Sequence, residues 1–201
     1  RRSRFLAKIA LRSAVIYNIF LICEYLLAPD MLVVSATLHL CVVTPWMLFV
    51  AHVLPSVQSP GWRESLATSV TLAIVAQILV VYCLTTSPFA ARYIYFAPVT
   101  FLTLASVQRL PTVYGFRLAA VVFLMMAVAS QVRGGMQVEI AVTNAMTFAC
   151  IAGAIINSNA LVQREQRRLY LLSVRDQLRA ELSDSDANAD ALTGLGNRRY
   201  L

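Results

Sequence analysis

Among the ionisable side chains inside or at the ends of the apolar segments of this 201-residue chain, five are candidate sensor residues, namely Glu24, His39, Arg92, Arg133 and Glu139. Ionisable groups are costly inside a bilayer, so they are candidate functional residues wherever they occur in apolar segments. If the segments span a membrane, all five fall towards its outer side. Together they could line one pocket for a small ligand, a proton or a metal ion. The competing interpretation is that each side chain reaches the membrane interface or forms a buried structural pair.

The cysteines add a second chemical possibility near His39. Cys23, Cys41 and Cys83 fall towards the same end as that histidine, and thiolate with imidazole would suit copper or zinc. However, all four cysteines, including Cys150, lie in apolar runs, and none forms a C-x-x-C pair. The pattern therefore favours packing, and no metal site is predicted.

Other polar side chains in the apolar runs are expected to form interhelical contacts or an interfacial belt. These residues are Tyr17, Asn18, Tyr25, Gln77, Tyr82, Tyr93, Tyr95 and Asn144.

The composition indicates that the elements holding these residues are membrane helices. Hydrophobic residues make up 59% of the chain and charged residues only 13%, with a mean hydropathy of +0.67. Soluble globular proteins carry about 25% charged residues. The net charge is +7, but the basic residues cluster before the first apolar run and after the last. That placement is typical of a multi-span protein in a lipid bilayer and argues against a nucleic-acid partner.

Six apolar runs follow one another along the chain, and they predict an all-α fold with six transmembrane helices. The runs cover approximately residues 13–28, 31–54, 65–86, 89–107, 112–132 and 136–156. The sequence therefore predicts a basic N-terminal segment at 1–12 and a transmembrane domain at 13–157. An even number of spans puts both termini on one side, and the distribution of Lys and Arg places that side in the cytoplasm.

Small residues recur every fourth position in the sixth run, at Ala145, Ala149, Gly153 and Asn157. Small side chains at this spacing allow two helices to approach closely in lipid. The partner would be either another helix of the same bundle or the same helix of a second copy.

The sixth helix is predicted to continue into the cytoplasm as a linker at residues 158–189. No Gly or Pro interrupts the stretch, and Leu171, Val174 and Leu178 keep the 3-4 spacing of a coiled-coil seam. The same register puts Arg164 and Arg167 at core positions. We therefore expect a weak coiled coil that can change its register.

The last twelve residues, DALTGLGNRRYL at 190–201, differ in character from everything before them. Gly194 and Gly196 permit a tight turn, and Asn197 is a good helix N-cap. A nucleotide-binding glycine loop is not supported, because Arg199 stands where G-x-G-x-x-G requires its third glycine.

This stretch resembles the entry turn of GGDEF domains, the diguanylate cyclases of bacteria. Every fixed position of the pattern D-x-L-T-G-L-x-N-R-R is matched, by Asp190, Leu192, Thr193, Gly194, Leu195, Asn197, Arg198 and Arg199. The six-span layout is similar to the membrane-associated sensor (MASE-like) regions that precede such cyclases.

The resemblance implies that an α/β GGDEF domain begins at residue 190 and that the protein lies in a bacterial inner membrane. It further implies a homodimer that makes cyclic di-GMP from two GTP molecules with Mg²⁺. In the family, the catalytic residues lie mostly downstream of this motif, so these 201 residues alone are expected to be inactive.

Four other functions remain open at this point. The domain after Leu201 could be degenerate and only bind GTP or cyclic di-GMP, or it could precede a phosphodiesterase domain. The chain could instead be a transporter with a regulatory tail, although no inverted repeat is evident in its spans. Finally, the helical bundle could serve only as a dimeric anchor.

Overall fold

The computed structural model describes residues 2–134 and 138–188, and all regular structure in these ranges is helical. The α-helices are α1 Arg2–Ile19, α2 Leu21–Leu27, α3 Leu32–Thr37, α4 Thr44–Val53, α5 Pro60–Leu84, α6 Ala90–Tyr93, α7 Phe96–Gln108, α8 Thr112–Arg133 and α9 Val138–Asn188. The all-α prediction is confirmed for these residues. The predicted start of an α/β domain at 190–201 lies outside them.

Five helical stretches of the described chain are long and apolar enough to cross a membrane. They are Arg2–Leu27, Pro29–Ser56, Pro60–Leu84, Thr112–Arg133 and Ala141–Ser183. This confirms the membrane character that the composition predicts. The first stretch begins at Arg2, so residues 2–12 of the basic segment predicted at 1–12 belong to the first helix.

The fourth apolar run is not the single spanning helix that the sequence predicts at 89–107. It forms the short helix α6 and then α7, whose 13 residues reach about 20 Å at 1.5 Å per residue. A bilayer core is about 30 Å thick. The break at Ile94 has a local cause, because Pro98 has no N–H to donate to the Ile94 carbonyl. The amide of Ala97 donates to that carbonyl instead, at 3.1 Å.

The second span also departs from regular α geometry. Between α3 and α4, Leu38–Val43 forms a π-helical turn. Pro45 lies two residues after this turn. Because it has no N–H, the Cys41 carbonyl lacks the donor that a regular α-helix supplies four residues further along. A wider turn at this point adds one residue to the helix and places His39 inside the irregular segment.

Helix α5 is the centre of the bundle. In its most apolar stretch of 18 residues, 56% is buried, against 28–33% in the corresponding stretches of the other long helices. It packs against α1, α4, α7 and α8. Its buried side chains include Val70, Ile74, Val75, Ile78, Leu79, Val81 and Tyr82.

Polar contacts connect the helices at the end of the bundle where α1 begins. Arg2 donates to both carboxylate oxygens of Glu64, at 3.1 and 2.8 Å, and also to the Arg109 carbonyl at 3.3 Å. Arg63 donates to the same carboxylate at 3.2 Å. Since α1, α5 and the turn after α7 all contribute, these contacts fix the relative positions of three helices.

A second set of polar contacts connects helices at the opposite end. Asp30 accepts from the Thr85 hydroxyl at 2.7 Å and from the Thr86 amide at 2.7 Å. Arg133, at the end of α8, donates to the carbonyls of Tyr82 and Thr85. The C-terminal end of α5 is therefore held by both α8 and the turn before α3.

The chain divides into two compact units, Arg1–Asn159 and Ala160–Leu201. In the first unit, the initial part of α9 packs on the bundle through Phe148, whose ring centre lies 5.2 Å from that of Phe101. In the second unit, the helix exposes apolar side chains such as Leu169, Leu171 and Leu178.

Candidate functional site

The carboxylate of Glu24 is the centre of a buried polar cluster. Its side chain is on α2 and the residue is only 3% exposed. One oxygen, Oε2, accepts from the Ser35 hydroxyl. The other, Oε1, accepts from the Tyr93 hydroxyl and from Gln77 Nε2, the latter at 2.9 Å. His39 Nε2 lies 3.3 Å from Oε1.

Irregular backbone places these groups together. Phe20 interrupts the first span between α1 and α2, and Glu24 follows on the short helix α2. Ser35 and His39 are four residues apart across the junction of α3 with the π-helical turn, so they lie on one face. Tyr93 ends the short helix α6. Breaks in three of the apolar runs therefore bring side chains to a single carboxylate.

Four donors satisfy a charge that would otherwise be very unfavourable in the interior. A buried carboxylate without hydrogen bonds costs many kcal/mol, and buried charges in proteins are paired or fully hydrogen-bonded. A carboxylate can only accept, so the His39 contact requires the proton on Nε2. His39 is 0% exposed, and it is the basic side chain that contacts Glu24 among the described residues.

The Tyr17 ring stacks on the ring of His39. Their rings are parallel, with centres 3.8 Å apart and an angle of 4° between planes. Three buried polar atoms next to the carboxylate have no hydrogen-bond partner in the described part of the chain. They are the Tyr17 hydroxyl, His39 Nδ1 and Gln77 Oε1.

A cavity of about 390 Å³ opens beside the cluster. The clustered residues that line it are Tyr17, Glu24, His39, Gln77 and Tyr93. Most of the other lining residues come from α1, α5 and α7 and are apolar. Ile9, Ile16, Ile74, Ile78 and Val99 are among the lining residues. A mainly apolar cavity with a few convergent polar groups is the usual form of a small-molecule site, and such sites typically measure about 300–1,000 Å³.

Of the five residues predicted to form a sensor pocket, the structure brings Glu24 and His39 together and places the other three elsewhere. Arg92 is exposed, and its guanidinium lies 5.5 Å from the ring centre of Phe89. Glu139 is exposed near the start of α9. Neither residue lines the cavity described above.

Arg133 has a structural role instead. In addition to its carbonyl contacts at the end of α5, its guanidinium lies 4.9 Å from the ring centre of Tyr82. A guanidinium that caps carbonyls and covers an aromatic face stabilises a helix end.

Tyr17, Ser35, Gln77 and Tyr93 belong to the site although the sequence did not identify them as such. Tyr17, Gln77 and Tyr93 were expected to be interhelical or interfacial residues, and Ser35 was not singled out. One signal was present, because Ser35 and His39 have the i, i+4 spacing of a helix face. The position of Tyr93 depends on the break before Pro98, which the predicted continuous span did not include.

The cysteines do not assemble a metal site among the described residues. No group of three or more His, Cys, Asp or Glu side chains lies close enough there to hold an ion. Cys23 lines the cavity, Cys41 and Cys150 are exposed, and the Cys83 thiol donates to the Ala129 carbonyl at 3.6 Å.

The small-residue stripe of α9 faces away from the bundle. Ala149, Gly153 and Asn157 are exposed and Ala145 is partly exposed. A Cβ atom added to Gly153 would meet no atom within 4 Å. The opposite side of α9 packs on the bundle through Asn144, Phe148, Ala152, Ile155 and Ile156. Within the described ranges, the helices of the same bundle therefore leave Ala149, Gly153 and Asn157 uncovered and cover Ala145 only in part.

The predicted linker residues are on a helix in the second unit. Leu171 and Leu178 are exposed there, and Val174 is partly buried. The motif at residues 190–201 lies outside the described residues. Comparison with protein-family models, curated proteins and solved structures finds no match for this chain.

Proposed function

We propose that this chain is the membrane sensor and dimerisation region of a bacterial diguanylate cyclase. A six-span bundle, in which α6 and α7 together serve as the fourth span, places both termini in the cytoplasm. The GGDEF domain that starts at Asp190 binds GTP and Mg²⁺, and two such domains form cyclic di-GMP in a homodimer.

One observation supports this proposal more than any other. Helix α9 runs without interruption from Val138 to Asn188, and the residues that resemble the GGDEF entry turn begin at Asp190. A helix that starts among the spans and ends next to a catalytic domain can transmit a rotation or a change of register.

The site around Glu24 is the proposed input. Ligand binding in the adjacent cavity would change the hydrogen bonds between α2, α5 and α6, and so shift the bundle between two packings. A ligand can shift such an equilibrium only by its difference in affinity for the two states. The exposed face of α9 with Ala145, Ala149, Gly153 and Asn157 is the proposed contact with the second copy.

The test is GTP turnover by the protein that extends past Leu201, in nanodiscs with Mg²⁺, with cyclic di-GMP detected by mass. Product from the extended protein and none from these 201 residues is the expected result. Nucleotide binding without turnover would support a degenerate domain instead. If the bundle is only an anchor, replacing residues 2–159 by an unrelated dimeric membrane segment would leave turnover and its regulation unchanged.

A further inference from the structure

The cavity beside Glu24 leaves three polar atoms for a ligand to satisfy. The Tyr17 hydroxyl, His39 Nδ1 and Gln77 Oε1 have no partner among the described residues, and the three side chains are 5%, 0% and 3% exposed. Most buried polar atoms in proteins are hydrogen-bonded, and one that is not costs free energy. All three residues line the cavity.

These atoms specify the hydrogen bonds that the ligand must make. Gln77 Nε2 already donates to Glu24, so the remaining amide oxygen of Gln77 can only accept. The Tyr17 hydroxyl can donate. The ligand therefore needs an oxygen that accepts from Tyr17 and an O–H or N–H that donates to Gln77. A carboxylate beside Glu24 would be repelled, so the group that meets these three atoms is uncharged. Arg12 also lines the cavity, and for this reason an anionic competitor is included in the test below.

The polar end of the cavity favours a flat ring. Phe20, Tyr93 and Phe96 line it together with Tyr17. The Phe96 ring is nearly perpendicular to that of Phe20, with centres 5.6 Å apart, and lies 5.4 Å from that of Tyr93. Aromatic side chains arranged edge to face provide favourable contacts for another aromatic ring.

The remaining lining is mostly apolar and lies on the outer surface of the bundle, with Arg12, Ser13, Thr100 and Thr103 as its polar members. Its lining residues Phe5, Ile16, Val99 and Val107 are between 40% and 58% exposed. In a membrane-spanning bundle this surface meets lipid tails. A ligand that enters here dissolves in the bilayer and carries an apolar tail.

We propose that the cavity binds a lipid-soluble quinone in its reduced, hydroquinone form, with the ring at Glu24 and the tail between α1 and α7. The hydroquinone has hydroxyls that both donate and accept, whereas the oxidised ring can only accept. The quinone is then the ligand of the proposed sensor. The inference rests on the proposed function only where ligand binding is interpreted as a signal.

The test is equilibrium binding of tritiated decylubiquinol to this chain in nanodiscs under anaerobic conditions. Saturable binding of about one molecule per chain is expected, with weaker binding of the oxidised decylubiquinone. Tyr17→Phe should weaken quinol binding about 3- to 10-fold, as the loss of one neutral hydrogen bond implies. Tyr25→Phe, an exposed tyrosine outside the cavity, should leave it unchanged.

Several results would overturn the proposal. These are uptake equal to that of empty nanodiscs, equal affinity for the two redox forms, and equal binding by the Tyr17→Phe and Tyr25→Phe variants. Competition by 1-decanol or decanoic acid as effective as that by quinol would show a general lipid cleft instead. Tyr17→Phe removes a hydroxyl without a partner in the described chain, so an unchanged melting temperature excludes misfolding as the cause. Because the assay measures binding directly, its outcome is independent of cyclase activity.

Discussion

At the scale of single residues, the hydrogen bonds to Glu24 explain how a carboxylate can be stable inside an apolar bundle. Each donor comes from a different position along the chain, and none of them is close to Glu24 in sequence. Loss of any one donor leaves part of the charge unsatisfied. The stability of the protein should therefore fall when a substitution removes a single oxygen atom from this cluster.

Tyr93→Phe should lower the free energy of unfolding by about 1.5–3 kcal/mol, because a hydrogen bond to a charged group is lost in a buried site. Thermal unfolding in detergent micelles would measure the change. Tyr95→Phe is a matched control two residues away, since Tyr95 is 45% exposed and its hydroxyl should contribute little. Equal melting temperatures for the two variants would contradict the role assigned to Tyr93.

Glu24→Gln should destabilise the protein by a similar amount, because an amide NH₂ would face groups that are themselves donors. Once this substitution has removed the charge, adding Tyr93→Phe should cost much less than it does in the native protein. A double-mutant cycle measured by thermal unfolding gives this coupling. Additive effects would mean that Tyr93 stabilises the bundle by packing alone. Glu139→Gln, at an exposed position, should change little.

At the scale of elements, the ends of the helices matter as much as their lengths. Helix α7 ends at Gln108, and the next residue, Arg109, has a positive φ of 50°. A left-handed conformation is unfavourable for residues with a Cβ and is usually occupied by Gly at a helix C-terminus. The Arg109 contact seen at this position is made by its backbone carbonyl.

Arg109→Gly should therefore raise the free energy of unfolding by about 1 kcal/mol, because it relieves the backbone and keeps the carbonyl contact to Arg2. Arg117→Gly, inside α8, should lower it by a similar amount, as glycine does in helix interiors. Melting temperatures of the two variants should move in opposite directions. A decrease for Arg109→Gly would show that its side chain has a role of its own.

The same scale shows how much of the fold was predictable from the sequence. Apolar run lengths located the long helices, since burial in lipid depends on composition over about 20 residues. Pro45 and Pro98 mark the second and fourth runs as irregular in the sequence. The form of the π-helical turn and the break at Phe20 do not follow from it, because they depend on single hydrogen bonds. The site depends on these breaks. For this reason the sequence identified Glu24 and His39 but not Tyr93. It also grouped Arg92, Arg133 and Glu139 with them, and the structure places these three outside the cavity lining.

At the scale of the whole molecule, the outward face of α9 determines the proposed dimer. Gly153→Leu extends into open space, because a Cβ added there would meet no atom of the described residues within 4 Å apart from its chain neighbours and the adjacent backbone of α9. It should therefore leave the fold intact and hinder close approach of a second copy. Disulfide cross-linking in membranes would measure this, with Cys150 as the reporter and the other three cysteines replaced by alanine.

The cross-linked fraction should fall several-fold for Gly153→Leu. Ala154→Leu is the matched control, because Ala154 is also exposed but lies about 100° further round the helix. If both variants cross-link as well as the parent, the dimer does not use this stripe. If both lose cross-linking equally, the contact is not specific to one face.

The π-helical turn at Leu38–Val43 has a consequence for how this chain can vary. A π turn contains one residue more than an α turn, and deleting one residue there would restore regular α geometry. The span, 28 residues long, would still be long enough to cross a membrane. Because the wider turn absorbs its extra residue, the segments on either side would face the same way after this deletion. Deleting one residue from the regular helix α4 instead would rotate everything before it by about 100° around the helix axis. Ser35 would then point away from Glu24, so the position of a deletion in this span matters more than the length that remains.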